Sequence, residues 1–235
     1  MKQTTAHTGD CYEGKALKYA EMVDTKPWNA FYERPAVLSL LPPLMNASVL
    51  DAGCGSGWYA EHLLNQGASV TAFDFNSDFV KLTQSRLNTR AKVLQADLAE
   101  PLAFAGDGMF DLVIAPLVMH YLKDWLPPLR EFHRVLKQRG VLVFSTHHPY
   151  MDWKFFKKED YFATEILEDE WDIGKVTFYR RPLTAMSRDL ETAGFYIERL
   201  LEPKPTEDFK RVNPDGYERH TKNPLYLVIK VCRKD

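Results

Sequence analysis

The sequence predicts an α/β fold in which helices cover both faces of a doubly wound, mostly parallel sheet. Short apolar runs of strand length alternate with helical patterns along the middle of the chain. The first of these runs passes through a glycine-rich loop directly into a helix. Because right-handed crossovers bring the carboxyl ends of parallel strands to one edge, we expect the residues that follow each strand to share one crevice.

The composition is that of a globular protein with no sign of a membrane or nucleic-acid partner. The chain has 235 residues, 45% of them hydrophobic, and a net charge of -2, whereas nucleic-acid-binding domains usually carry a strong basic excess. Its three cysteines form no C-x-x-C pair, so neither a disulfide framework nor a metal site is expected. The start of the chain is polar and no apolar run reaches spanning length. We therefore expect a cytoplasmic protein that acts as a monomer or homodimer.

Five strands are predicted in chain order, with helices between them. The strands are expected at 47–51, 68–73, 91–95, 110–115 and 141–145. Asn76 is suited to cap the helix after the second strand, and the apolar spacing predicts another helix over 126–137. Two helices are predicted before the first strand, at about 10–22 and 28–38, and we interpret residues 1–45 as an N-terminal helical lid.

The remaining chain, 46–235, is predicted to form one domain with an aromatic-rich cap. Residues 147–180 contain many aromatic and acidic side chains without a helical period, and we interpret them as an insertion, in part strand-forming, over the crevice. A helix is predicted over 183–193, with a glycine at its end. No crossover helix is evident between the last two predicted strands, 195–201 and 225–231, which favours antiparallel pairing.

The glycine-rich loop after the first strand is the strongest functional signal. It runs from Val49 to Trp58, where glycines let the backbone approach a ligand closely and the following helix offers free N–H groups. Residues 55–60 satisfy the dinucleotide fingerprint G-x-G-x-x-G/A, whereas three alternate glycines after Asp51 fit the loop that binds S-adenosylmethionine (SAM) equally well. Asp74 stands about 20 residues further on, where either cofactor needs a carboxylate for its ribose hydroxyls. The loop alone leaves both cofactors open.

Over residues 28–232 the chain resembles the class I SAM-dependent methyltransferases, in particular a bacterial group that acts on small molecules. The stretches that carry the resemblance occur in the order VLDAGCGSGWYA, VTAFDFN, QADLAEPLAF, FDLVIAPLVMHYL and FHRVLKQRGVLVFS, before the closing pair of strands. The turn at 137–140 departs from the family, which often has a proline there. The resemblance implies a Rossmann-like, seven-stranded sheet with an antiparallel last strand, SAM as the cofactor and S-adenosylhomocysteine (SAH) as its product.

The resemblance also assigns cofactor contacts to residues at the strand ends. The loop glycines would line the methionine part and the ribose, Asp74 would bind the ribose hydroxyls, and Asp97 would accept a hydrogen bond from the adenine amino group. The cationic sulfonium and ammonium groups suit a crevice edged by Asp51. The expected cofactor residues are Asp51, Gly53, Cys54, Gly55, Gly57, Asp74, Phe75, Asp97, Leu98 and Ala115, with Tyr19 and Tyr32 from the N-terminal helices.

The methyl acceptor is expected to be a small molecule held under the aromatic insertion. His120, His147 and His148 follow the fourth and fifth predicted strands and are candidates for a general base where the acceptor must lose a proton. The expected acceptor pocket consists of His120, His147, Tyr150, Trp153 and Trp171. Whether an oxygen, nitrogen or carbon atom receives the methyl group is left open.

Two other functions stay open on the sequence. An NAD(P)-dependent oxidoreductase would explain the fingerprint at 55–60 and Asp74, but not the Asp97-Leu98 pair or the closing strands. A non-catalytic SAM-binding protein would keep the cofactor residues and lack a usable acceptor pocket.

Overall fold

The computed structural model describes residues 11–234. The amino-terminal part contains α1 (Ala16–Val23), a π-helical turn (Asn29–Glu33), α2 (Arg34–Leu38), β1 (Ser48–Ala52), α3 (Trp58–Asn65), β2 (Ser69–Asp74), α4 (Ser77–Leu87), β3 (Lys92–Gln95), β4 (Phe110–Pro116) and α5 (Leu126–Val135). The remainder contains β5 (Leu136–His147), α6 (Pro149–Phe155), β6 (Glu165–Trp171), β7 (Gly174–Arg180), α7 (Leu183–Thr192), β8 (Phe195–Leu201), α8 (Glu207–Val212), α9 (Pro214–Lys222) and β9 (Tyr226–Arg233). Helices follow β1, β2 and β4, as the sequence predicts, whereas β3 and β4 are joined by a segment without helix.

Seven strands form one sheet in the order β3-β2-β1-β4-β5-β9-β8. Strand β1 pairs in parallel with β2 and β4, whereas β9 pairs antiparallel with both β5 and β8. The predicted Rossmann-like, seven-stranded sheet with an antiparallel closing strand is therefore confirmed. From β1 the chain adds β2 and β3 on one side of the sheet and then β4 and β5 on the other, so the strand order switches between β1 and β4. In open α/β sheets a crevice lies at such a point, outside the carboxyl ends of the strands.

Apolar side chains cover both faces of the sheet, because the central strands are buried on both sides. Along β1, Val49 belongs to the cluster that contains Leu63 of α3 and Leu87 of α4. The next residue, Leu50, belongs to the opposite cluster with Leu129 of α5. Fully burying an aliphatic side chain of this size stabilises the fold by about 1.5–3 kcal/mol. The two clusters make the sheet a firm support for the loops at its carboxyl edge.

The boundaries of the central helices follow the local sequence signals with one exception. Helix α4 starts as predicted because Asn76 Oδ1 accepts hydrogen bonds from two N–H groups of the first turn. The predicted helix over 126–137 ends earlier, at Val135, and β5 begins at Leu136. Leu136 extends the helical apolar pattern in the sequence, but it is used by the strand, where it pairs with Phe110.

Two segments contain helices that the sequence pattern does not reveal. The insertion begins with α6 and continues as the antiparallel hairpin β6–β7, which stands apart from the main sheet. The connection from β8 to β9, predicted without helix, contains α8 and α9. Helices α6 and α8 have 7 and 6 residues, too few to display a clear apolar period. The first predicted helix starts at residue 10, outside the described residues, and α1 begins at Ala16.

The N-terminal segment and the β6–β7 hairpin meet above the carboxyl edge of the sheet. Leu167, Val176 and Phe178 of the hairpin are buried in one cluster with Tyr12 and Tyr19. Two lysines of the N-terminal segment add polar contacts, since Lys18 Nζ donates to the carbonyl of Asp172 and Lys26 Nζ lies 2.7 Å from Asp172 Oδ2. The hairpin therefore packs against the N-terminal segment, whose Tyr12 and Tyr19 line the crevice at the glycine loop.

Candidate active site

The loop between β1 and α3 depends on glycine at two positions for different reasons. Gly53 has φ +72°, and an added Cβ would lie 2.5 Å from Val118 Cγ2, so the site has no room for a side chain. Gly55 has φ +54°, and an added Cβ would meet no heavy atom within 4 Å. At Gly55 the bare backbone therefore faces open space, as a loop that holds a ligand against its main chain must.

A crevice opens at this loop, which we call the loop crevice. It lies at the carboxyl ends of β1, β2, β3 and β4, and the N-terminal segment closes one side. Eight of the twelve predicted cofactor residues line it: Gly53, Cys54, Gly55, Asp74, Phe75, Asp97, Leu98 and Tyr19. The parallel sheet brings them together because each of the loop residues follows a strand.

Two carboxylates of the loop crevice are held in place by backbone amides. Asp74 accepts hydrogen bonds of 2.9 Å from the N–H groups of Gly55 and Asn76, one on each carboxylate oxygen. Asp97 Oδ1 accepts a 2.8 Å bond from the N–H of Ala99. Because these bonds fix their orientation, Asp74 and Asp97 present carboxylate oxygens at the ends of β2 and β3.

Asp51 is a buried carboxylate directly before the glycine loop. Its side chain is 1% exposed, and neither carboxylate oxygen accepts a hydrogen bond of normal geometry within the described chain. Burial raises the pKa of Asp51 to about 7, and the negative charge of Asp74 adds to the effect. A buried carboxylate without a partner is costly, so the site gains if a bound ligand brings positive charge to it.

Glu33 lines the same crevice, although the sequence gives no sign of it. Its Oε1 accepts a 2.5 Å hydrogen bond from Ser145 Oγ, and its Oε2 accepts a 2.9 Å bond from the hydroxyl of Tyr59. Burial raises the pKa of Glu33 against the effect of these bonds. The three residues lie far apart in the chain, and no local pattern could have associated them.

Among the described residues that line the crevice, Arg34 is the only one with a guanidinium or ammonium group. Its guanidinium donates to the carbonyls of Val23 and Asp24 at the end of α1, and it lies 4.2 Å from the centre of the Trp58 ring. Arg34 thereby ties the N-terminal segment to the first turn of α3, with a cation–π contact as part of the link.

The charges of the loop crevice suit a cationic ligand. Three carboxylates line it, those of Glu33, Asp74 and Asp97, against the single cation of Arg34. The N–H of Gly55, which a dinucleotide loop would turn towards phosphate, is bonded to Asp74. A pyrophosphate would meet excess negative charge here, whereas the sulfonium and ammonium groups of SAM would be stabilised. The residues present therefore fit SAM better than a dinucleotide.

A second cavity, which we call the cap cavity, lies under the β6–β7 hairpin. Its walls come from the N-terminal segment, the end of β5, α6, the hairpin and α9. It is the larger of the two, about 480 Å³ against about 180 Å³ for the loop crevice. The two spaces share a wall that consists of Tyr12, Tyr19, Asn29, Leu117 and Tyr121. A ligand in one cavity therefore borders a ligand in the other.

Three predicted acceptor residues, His120, His147 and Trp171, line the cap cavity. The rings of His120 and His147 are stacked with centroids 4.4 Å apart, and neither nitrogen of His120 has a hydrogen-bond partner in the described chain. Burial lowers the pKa of His147 to about 4 and lowers that of His120 well below its usual value. Both rings are neutral at pH 7.

Seven predicted site residues lie outside both cavities, and two of them, Asp51 and Gly57, are described below. His148 turns away, with its Nε2 2.7 Å from Glu202 Oε1, and Tyr150 is 45% exposed on α6. Trp153 lies on the same short helix, where its ring packs against Tyr150 and Tyr161. The remaining two predicted residues are Ala115 and Tyr32.

Ala115 and Tyr32 lie outside both cavities because their side chains point in other directions. Ala115 is fully buried inside β4, so its side chain belongs to the core under the crevice floor. The hydroxyl of Tyr32 accepts a hydrogen bond from the Leu225 N–H, and its ring packs on Phe209. Successive residues of a helical turn point in different directions, and here Glu33 faces the crevice in place of Tyr32.

Gly57 and Asp51 support the loop crevice without lining it. Gly57 has φ +82° at the start of α3, and an added Cβ would lie 2.8 Å from Thr83 Oγ1. Asp51 acts through its charge, which raises the pKa of the Cys54 thiol together with burial.

Residues 11–234 contain neither a metal-binding cluster nor a helix that could span a membrane. No group of three or more His, Cys, Asp and Glu side chains is placed to hold a metal ion in that part of the chain. Nor does any helix there combine the length and apolar character that crossing a membrane requires.

Known proteins resemble this chain in sequence and in fold. Residues 50–144 match the family model described as a methyltransferase domain. A malonyl-[acyl-carrier protein] O-methyltransferase from Buchnera aphidicola subsp. Baizongia pistaciae is 35% identical over 111 residues, which are 47% of this chain and 43% of that protein. The chain thus spans less than half the length of this relative.

Two solved structures share the fold over most of the chain. An S-adenosylmethionine dependent methyltransferase from Mesorhizobium loti has a TM-score of 0.71 and 22% identity, covering 90% of this chain and all 100% of that one. A Listeria monocytogenes protein has a TM-score of 0.77 and 20% identity, covering 86% of this chain and 97% of that one. Residues 50–144 are thus similar to a methyltransferase domain, and the seven-stranded sheet around them has the same fold as these two structures.

Proposed function

We propose that the protein transfers a methyl group from SAM to a small-molecule acceptor and releases SAH. The observation that carries the proposal is a pair of cavities with a common wall at the carboxyl edge of the sheet. One has a bare glycine backbone among carboxylates, and the other is lined by aromatic rings. SAM supplies a methyl group that its sulfonium already activates, so the protein mainly has to hold the acceptor in line and exclude water.

Different residues at the loop crevice bind different parts of the cofactor. Asp74 is placed to accept hydrogen bonds from the ribose hydroxyls, and Asp97 to accept one from the adenine amino group. Asp51 and Glu33 provide negative charge for the sulfonium and ammonium groups, and both carry a pKa raised by burial that cationic charge would bring down. Each of these roles is part of the proposal.

The common wall excludes water from the reacting atoms. The hydroxyls of Tyr12 and Tyr121 are hydrogen-bonded at 2.9 Å, and the ring of Tyr12 packs edge-on against Tyr19. The N-terminal helices therefore act as a lid, in keeping with the predicted division at residue 45. His147 and His120 border the acceptor as neutral rings and are suited to shape its site.

The relatives support methyl transfer without identifying the acceptor. The Buchnera protein is named for a malonyl group on an acyl carrier protein, but its match covers only 47% of this chain. The family match ends at residue 144, before the insertion that forms the cap cavity. A small-molecule acceptor, a cytoplasmic location and a monomeric or homodimeric state are proposals from the sequence.

Calorimetric titration with SAM, SAH and NAD tests the cofactor. SAM and SAH should bind and NAD should not, whereas tight NAD binding without a response to SAM would contradict the proposal. Asp74→Ala should weaken SAM binding on the order of 100-fold, because it removes hydrogen bonds to a charged group that contribute about 1.5–3 kcal/mol each. The matched control is Asp78→Ala on α4, which removes an exposed carboxylate paired with Lys81. Transfer of labelled methyl from SAM to metabolite extracts then tests the reaction itself.

A further inference from the structure

The cap cavity combines aromatic walls with uncompensated negative charge. Its aromatic lining includes Trp28, Tyr121, Phe156, Trp171, Phe178 and Tyr226. Four carboxylates line the same space, from Asp152, Asp169, Glu170 and Asp172, against two cations, from Lys26 and Arg219. A cavity for an anionic or purely apolar ligand would not carry this excess.

The two cations do not neutralise the inner carboxylates. Lys26 Nζ is bound to Asp172 Oδ2 at 2.7 Å in an ion pair whose Asp172 side chain is 62% exposed. Arg219 is exposed on α9. Both cations therefore lie towards solvent, away from the deeper carboxylates of the cavity.

Asp152 is the innermost of the carboxylates. Its side chain is 8% exposed, lines the cavity and makes no hydrogen bond or ion pair with the described residues. Burial raises the pKa of Asp152 to about 7, Arg180 opposes the rise and Asp169 adds to it. The guanidinium of Arg180 makes no hydrogen bond to Asp152, and its two Nη atoms donate to Glu165 and to the carbonyls of Asp160 and Tyr161.

Asp169 is held at the cavity wall by an aromatic neighbour. Its Oδ2 accepts a 2.9 Å hydrogen bond from Trp171 Nε1, which also fixes the plane of the indole. A carboxylate beside an oriented indole is the arrangement that binds ammonium groups, since ring faces attract cations by about 0.5–2 kcal/mol. The neighbouring His147 ring is neutral and does not repel positive charge.

We propose that the cap cavity binds an organic ammonium group through Asp152, Asp169 and its aromatic walls, so that the methyl acceptor is an amine. This inference rests on the proposed methyl transfer. A carboxylate acceptor such as a malonyl group would be repelled by the same side chains, and a neutral hydroxyl would leave their charge uncompensated.

The amine must react in its neutral form, because the ammonium nitrogen has no lone pair. The bound ammonium passes one proton to the Asp152 carboxylate. The nitrogen lone pair then forms the new N–C bond, while the C–S bond breaks and its electron pair passes to sulfur. The products are SAH, the methylated ammonium group and protonated Asp152, and both atoms and charge balance.

Unreactive probes of opposite charge test the inference by binding alone. Benzyltrimethylammonium, 3-phenylpropionate and benzyl alcohol are titrated calorimetrically into the SAH-loaded protein. We expect the cation to bind at least tenfold more tightly than either of the others. Tighter binding of the carboxylate, or equal binding of the alcohol, would overturn the amine assignment.

Three variants test whether the carboxylates of Asp152 and Asp169 bind the cation. Asp152→Asn and Asp169→Asn should each weaken cation binding at least tenfold, and Asp169→Asn retains an oxygen for the Trp171 indole. Glu168→Gln is the matched control, since Glu168 lies on the same strand, is exposed and pairs with Lys175. Unchanged cation affinity in both aspartate variants would rule the site out.

The same titrations separate this inference from the proposed function. Retained SAH affinity shows that a variant is folded, and Asp169→Asn serves where Asp152→Asn does not fold. Wild-type protein that binds neither SAM nor SAH would overturn the methyl transfer. Wild-type protein that binds SAH but prefers the carboxylate probe would overturn the amine acceptor alone.

Discussion

In the loop crevice, the residues assigned to the cofactor follow successive strands between Asp51 and Leu98. In the cap cavity, the walls come from the N-terminal segment, the strand end at His147, α6, the β6–β7 hairpin and α9. Each space has one deeply buried aspartate whose pKa is raised to about 7, Asp51 directly before the glycine loop and Asp152 in the wall of the cap cavity. The two cavities thus share a chemical principle, attraction of positive charge, on very different scaffolds.

The difference shows where the chain can vary without losing its cofactor. The residues of the loop crevice directly follow strands of the main sheet, so substitutions among them also disturb the central strands. The cap cavity stands mostly on an insertion whose hairpin forms a separate two-stranded sheet. Changes in the cap should therefore alter the acceptor and leave cofactor binding unchanged, and the predictions below test that independence.

The largest effect is expected from Gly55→Ala compared with Gly108→Ala. Both glycines have positive φ, +54° and +62°, and neither would place a Cβ near another atom. Both variants should lose about 1–2 kcal/mol of unfolding free energy through backbone strain. SAM affinity should fall about 10–100-fold in Gly55→Ala alone, because its methyl group enters the crevice. Calorimetry and chemical denaturation measure the two quantities, and equal SAM affinity in both variants would refute the placement of the cofactor.

Asp51 should make SAM binding and stability depend on pH in opposite ways. Its folded pKa of about 7 exceeds its ordinary value, so its contribution to stability without ligand is full below about pH 4 and is lost as pH rises to about 7. The loss is about 4 kcal/mol at most. Cationic SAM prefers the charged carboxylate, so its affinity should rise up to about tenfold from pH 6 to pH 8. Asp51→Asn should remove both trends, and a pH-independent wild type would contradict the assignment.

Trp171→Leu is expected to affect the cap cavity alone. The variant keeps an apolar side chain but loses the indole that faces the cavity and bonds Asp169. Binding of benzyltrimethylammonium should weaken about fivefold, in keeping with about 1 kcal/mol of cation–π stabilisation. SAH affinity should change less than about twofold, because Trp171 does not line the loop crevice. A parallel loss of SAH affinity would show that the two cavities are coupled through this ring.

The smallest effect is expected from Lys26→Met. It removes the ion pair with Asp172, which joins the N-terminal segment to the cap on the exposed side. Exposed pairs contribute about 0.2–1 kcal/mol, so the free energy of unfolding should fall by no more than that. Lys222→Met, which breaks the exposed pair with Glu218 within α9, is the control for a pair outside the lid. A loss well above 1 kcal/mol would make the lid contact a major source of stability.

Sequence alone predicts the sheet and most of the loop crevice because both depend on local patterns. Strands β1 and β4 are apolar runs, the glycine loop is contiguous, and Asp74 and Asp97 stand at strand ends. The cap cavity has no such pattern. His120 and His147 follow strands and were predicted to face the acceptor, whereas Asp152 and Asp169 emerge only when α6 and the hairpin fold together.

The sequence does not show which side chain of this helical turn, Glu33 or Tyr32, points into the crevice. The sequence predicts this helical segment at the crevice and favours its aromatic Tyr32, but the Tyr32 ring is buried against Phe209 and Tyr226. The π-helical turn over Asn29–Glu33 changes which residues face inwards, and its presence is not visible in the residue types. The predicted position of His148 differs for a similar reason, because the helix that follows turns its ring towards Glu202.

The common wall has a kinetic consequence. Tyr12 and Tyr19 belong to one short segment and border both cavities. Any displacement of that segment which lets one ligand leave also admits solvent to the other space. We therefore expect the dissociation rates of cofactor and acceptor to be linked through this segment.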